Sequence, residues 1–121
     1  MSSKIFVNLP VHDLRRSMAF FKALGFSFNA QFTDDTAACM VIGENNYAML
    51  LTHAKFAEFS NKKIVDARVS AEVLIAVSFE SRDRVDAILE AALKSGGTEP
   101  GPPRDYGFMY RRAHLGDFPH G

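Results

Sequence analysis

Cysteine is almost absent from this chain: Cys39 is the only one among 121 residues. No intrachain disulfide can form, and a reducing, cytoplasmic setting is expected. An excess of one charge is also missing. The 14 basic and 14 acidic residues cancel, so no basic excess points to nucleic acid or to an anionic membrane surface. No apolar run approaches the ~18 residues of a membrane span. The opening Met1-Ser2-Ser3-Lys4 lacks the apolar core of a secretory signal. The four histidines are scattered and do not group. His12 opens a helix, His53 ends a strand beside a linker, and His114 and His120 fall in the tail. A surface role is expected for each, with His53 the best placed to reach a cavity mouth.

What is present is an ordinary globular balance, 47% apolar and 23% charged. A chain of this length forms one domain and buries about two-thirds of its unfolded surface. Ile5 to Leu9 reads as a strand ended by Pro10. Asp13 is the expected N-cap and Gly25 the C′ residue of a helix with Leu14, Met18, Phe21 and Leu24 on one face. Phe26–Phe32, Ala37–Ile42 and Tyr47–Thr52 follow as strands, separated by a turn at Thr33–Thr36 and a hairpin loop at Gly43–Asn46.

The order then repeats. After a connection expected to hold one short helical turn, Glu72–Phe79 reads as an apolar, β-branched strand. Ser81 caps a helix striped by Val85, Ile88, Leu89, Ala92 and Leu93, and Gly96-Gly97 stops it. The three prolines in Thr98–Pro103 allow a short edge strand only. Tyr106–Arg112 is a further strand, and loop chemistry follows from Ala113. The period is roughly 65 residues. Module one spans about residues 4–53, the linker 54–70 and module two 71–121. By this count module two lacks its last strand. Either the chain is truncated or another chain completes the sheet, and an open edge invites a homodimer. The expected fold class is α+β: paired βαβββ modules forming a curved, mostly antiparallel sheet, with the last strand of the second module missing.

Val11-His12-Asp13-Leu14, then Ser17 and Phe20-Phe21, resembles the vicinal oxygen chelate superfamily, which includes glyoxalase I, extradiol dioxygenases, fosfomycin-resistance enzymes and bleomycin-binding proteins. Gly107-Phe108-Met109-Tyr110 is similar to a stretch of glyoxalase-like members. The resemblance covers roughly Ile5 to Tyr110. It implies metal ligands on the inner sheet face, and by register these fall on Phe6, Leu50 and Leu74; the fourth would lie beyond Gly121. Carbon side chains cannot ligate Zn²⁺, Ni²⁺ or Fe²⁺. A one-residue slip substitutes Ile5 or Val7, Met49 or Leu51, and Val73 or Ile75, and none of these is a good ligand. No metal site and no cofactor are therefore expected.

The resemblance then implies a binder of a small, partly apolar or aromatic molecule, held by Phe6, Asn8, Leu50, Thr52, Leu74, Phe108 and Tyr110 in the sheet concavity. Asn8, mid-strand among apolar residues, is read as buried, bonding either backbone or ligand. The alternative is a metal-dependent lyase of the lactoylglutathione lyase type, or a dioxygenase, completed by another segment or chain. Glu72 is then the candidate general base, against a plain solvated role. Cys39 is read as inert core packing.

Overall fold

In the computed structural model, which describes residues 3–96 together with 104–105 and 110–111, the first apolar stretch forms β1 (Ile5–Val11). Pro10 does not end the strand, contrary to the expectation from sequence. β1 is the outermost strand and pairs with β4 (Asn46–Thr52) alone. The Ile5 amide points inward, donating to the Asn45 carbonyl at 2.9 Å. By two-residue alternation, positions 6, 8 and 10 point outward, where a missing N–H leaves no ladder bond unmade.

Helix α1 (Leu14–Ala23) starts and stops where its end chemistry dictates. The Asp13 carboxylate accepts the Arg16 amide at 3.1 Å, a cap contributing about 1 kcal/mol. Gly25, at φ +102°, takes the left-handed turn after the helix. Leu14, Ser17, Phe20, Phe21 and Leu24 are buried.

β2 is only Ser27–Asn29, shorter than the expected Phe26–Phe32. Asn29 turns the chain into a 3₁₀ turn, Ala30–Phe32, by accepting the Gln31 amide at 3.0 Å. The Thr33 hydroxyl donates back to the Asn29 carbonyl at 2.7 Å. These local bonds replace the ladder.

The turn into β3 (Ala37–Val41) is built on Asp34. Its carboxylate accepts the Thr36 amide at 2.8 Å, the Thr36 hydroxyl at 2.8 Å and the Ala37 amide at 3.0 Å. The Thr36 backbone bond, then its hydroxyl, hold the acid below its ordinary 3.8. The unfolded chain lacks those bonds, so the turn's contribution is full above pH 3.8 and is lost as pH falls through the lower folded value. Wild type and Asp34→Ala should accordingly differ in urea midpoint near neutrality and converge in acid.

The strands form a four-stranded, open, curved sheet in the order β1-β4-β3-β2. β1 and β4 run parallel; the other neighbours are antiparallel. Helix α2 (His53–Phe59) leaves β4 directly, capped by the Thr52 hydroxyl on the Lys55 amide at 3.2 Å. The connection thus holds a longer helix than the single turn expected.

Glu72–Phe79 is not a strand, which corrects the expectation. In the first module β1 bonds the module's last strand. The equivalent partner for 72–79 is absent among the described residues. Ile75 and Phe79 still pack against the core, while Val73 and Leu74 are exposed.

Helix α3 (Arg82–Lys94) is capped by Ser81, which accepts the Arg84 amide at 3.1 Å, and it is followed by Gly96 at φ +100°. Its Ile88 and Ala92 join α1 and the sheet in one core; Leu93 instead faces outward. β5 (Arg104–Asp105) and β6 (Tyr110–Arg111) form a separate antiparallel pair. The expected edge segment Thr98–Pro103, most of the expected Tyr106–Arg112 strand and the tail lie outside the described residues.

Candidate functional site

Strand parity sorts the sheet's side chains onto two faces. One face meets α1 and α3. Its side chains are Leu9 and Val11 of β1, Ala38 and Met40 of β3, and Ala48 and Leu50 of β4. The opposite face carries Phe6 and Asn8 on β1, Tyr47, Met49 and Leu51 on β4, and Cys39 and Val41 on β3. The pairing aligns them in rows, Phe6 beside Tyr47 beside Val41, and Asn8 beside Met49 beside Cys39.

This second face is closed at one end and open at the other. Leu51, Ala37 and Cys39 are buried, with the 3₁₀ turn against β3 and α2 against β4. Toward the start of β1 and β4 the face is accessible, and Phe6 is 46% exposed. There the Phe6 and Tyr47 rings stack at 4.9 Å between centroids and 12° between planes. The Tyr47 hydroxyl donates to the Glu44 carbonyl at 3.1 Å, which fixes the ring. The Lys4 ammonium lies 5.9 Å from the Tyr47 ring centre, in cation–π range.

Several sequence expectations change place. Leu50 does not share a face with Phe6. It is fully buried under the helices, and Tyr47 and Met49 occupy the fourth-strand positions beside β1. Thr52 caps α2. Asn8 is exposed rather than buried, and its amide donates to the Phe6 carbonyl on the outer edge at 3.3 Å. That bond and Pro10 together blunt the open edge of β1. Leu74 is 68% exposed and off the sheet. Tyr110 pairs through its backbone with Asp105, and Phe108 is outside the described residues. Glu72 is exposed. Cys39 is fully buried, and burial pushes its thiol pKa up, away from the reactive thiolate.

The histidines do group in part. His12 and His53 face each other with ring centroids 6.2 Å apart. Tyr47, Met49 and this pair were missed in the sequence because each depends on the β1–β4 register.

Comparison with known proteins bears on this geometry. Residues 4–43 match the family model described as bleomycin resistance protein-like N-terminal. The hypothetical protein SA1046 from S. aureus superposes with a TM-score of 0.73 at 27% identity, over 91% of this chain and 82% of that one. A glyoxalase/bleomycin resistance protein/dioxygenase family enzyme from Burkholderia phytofirmans PsJN superposes with a TM-score of 0.73 at 16% identity, over 94% and 90%. The chain has the fold of the glyoxalase/bleomycin resistance protein/dioxygenase structures. A further protein of this fold, a glyoxalase/bleomycin resistance protein/dioxygenase from Nocardioides, gives 0.58 at 22% identity, over 88% and 72%. No curated protein matches the chain.

The resemblance to the vicinal oxygen chelate superfamily implies a divalent metal on the inner sheet face. With the register observed, β1 and β4 present Phe6, Asn8, Tyr47 and Met49 there. A phenyl ring, an amide, a phenol and a thioether are a poor donor set for Zn²⁺, Ni²⁺ or Fe²⁺, which favour imidazole and carboxylate. Among the described residues no three or more His, Cys, Asp or Glu gather at any point. The first-module half of that site does not fit the metal.

Proposed function

We propose that this chain is a ligand-binding member of the glyoxalase/bleomycin-resistance fold, taking a small, flat, partly apolar molecule on the accessible end of the sheet without the usual metal. The observation that carries this is the stack of exposed Phe6 on half-buried Tyr47. Two nearly parallel rings offer a preformed apolar surface to a further flat ring, at little conformational cost. The Asn8 amide, the Met49 thioether and the Lys4 ammonium beside it suit a ligand with one polar or anionic substituent.

A suitable probe is 8-anilinonaphthalene-1-sulfonate, a flat, apolar anion. Its affinity, read by fluorescence titration, should fall about two- to tenfold in Phe6→Ala and in Tyr47→Ala, the range expected for one aromatic stacking contact. Unchanged affinity in both variants would remove the basis for this reading.

The chain is also proposed to act as a homodimer. The 72–79 segment pairs with no strand among the described residues and leaves Val73 62% and Leu74 68% exposed, which supports association with a second copy. Light scattering should return twice the chain mass; a monomer at micromolar concentration contradicts it.

A further inference from the structure

The parallel pairing of β1 with β4 ends on Val11 opposite Thr52. The next residue on each strand is a histidine, His12 on one and His53 on the other. Both are exposed. Their rings stand 6.2 Å apart between centroids, at 73° between planes. Two imidazoles bound to one ion through bonds of about 2.0–2.1 Å hold their ring centres roughly 5–6.5 Å apart, for angles from tetrahedral to linear. The observed spacing lies in that span.

The backbone beneath both rings is fixed. His12 stands between the last paired residue of β1 and Asp13, whose carboxylate caps α1. His53 is the first residue of α2, directly after Thr52, whose hydroxyl caps that helix. Side-chain rotation is therefore the main freedom an ion would have to remove, and the two ligands are brought together before it arrives.

We infer that His12 and His53 form a two-histidine site for a borderline divalent transition-metal ion, of the Zn²⁺, Cu²⁺ or Ni²⁺ class. Neutral imidazole suits these ions, whereas Mg²⁺ and Ca²⁺ favour oxygen donors. No third His, Cys, Asp or Glu joins the pair among the described residues, so water fills the remaining positions. The amino-terminal end of α2 carries partial positive charge and opposes a cation. Both features make this an exchangeable site, not a structural one. It lies at the opposite end of β1 and β4 from the Phe6–Tyr47 stack and does not depend on the ligand reading given above.

Zn²⁺ titrated into the full chain by calorimetry, with nitrogen couplings of bound Cu²⁺ read by electron paramagnetic resonance, tests this site. The expected result is one ion per chain, two coordinating ring nitrogens, and at least about tenfold weaker binding in His12→Ala and in His53→Ala alike, because the second ligand acts intramolecularly. His114→Ala/His120→Ala should bind as the wild type does. Three results overturn the inference: no binding, binding that survives either single substitution, or binding that is lost with the tail histidines.

Discussion

Phe21→Ala is expected to cost about 3–5 kcal/mol of folding stability, the range for removing a buried phenylalanine from a core. Phe21 is fully buried, on the face of α1 that meets the sheet. Its ring makes edge-to-face contacts with Phe20 at 5.3 Å and with Phe26 at 6.1 Å. Alanine removes the apolar burial and both ring contacts, and leaves a cavity between α1 and the strands. Domains of this size are stable by only about 5–15 kcal/mol, so the loss takes a large share of the total. Urea unfolding should show a lower midpoint with an unchanged slope. A loss under about 1 kcal/mol would mean that α1 does not pack on the sheet in this way.

A comparable loss should separate two neighbours on one strand. Leu50→Asp places a carboxylate beneath the helices, where no partner for it is described, and should leave the chain largely unfolded by circular dichroism. The cost exceeds the about 2–5 kcal/mol of a Leu→Ala truncation, because burying an unpaired charge is added to it. Met49→Asp changes a half-buried residue on the opposite face and should stay folded. It should instead weaken binding of a flat anionic probe by like-charge repulsion. The opposite pattern, an unfolded Met49→Asp and a folded Leu50→Asp, would mean that the register of β4 against β1 is shifted by one residue.

That register marks where the sequence stopped being legible. The helix ends were readable because capping is local: Asp13, Ser81 and Gly25 each act within a few residues of themselves. The strand–helix–three-strand order of the first module was readable for the same reason. The faces of β4 were not. Ala48, Met49, Leu50 and Leu51 are all apolar, so no period-two pattern says which of them turns toward the helices. Asn8 did carry the signal for β1, since a polar residue in an edge strand marks the face open to solvent, but it reads equally as a buried hydrogen-bonding group.

The His12–His53 pair is invisible without knowing that Val11 lies beside Thr52. α2 was underestimated because Thr52 reads as the end of a strand, although it also caps the helix that follows. For Glu72–Phe79 the composition is that of a strand, yet a strand needs a partner, and composition does not say whether one exists.

The accessible end of the sheet, at Phe6 and Tyr47, is the proposed ligand-binding surface. The most direct test is a residue-by-residue map of chemical-shift changes in the isotope-labelled chain as 8-anilinonaphthalene-1-sulfonate is added. The predicted result is one cluster of shifts at Lys4, Phe6, Asn8, Tyr47 and Met49, with the core residues beneath α1 and α3 unmoved. Shifts confined to the exposed apolar segment around Val69, Val73 and Leu74, with none at Phe6 or Tyr47, would contradict it.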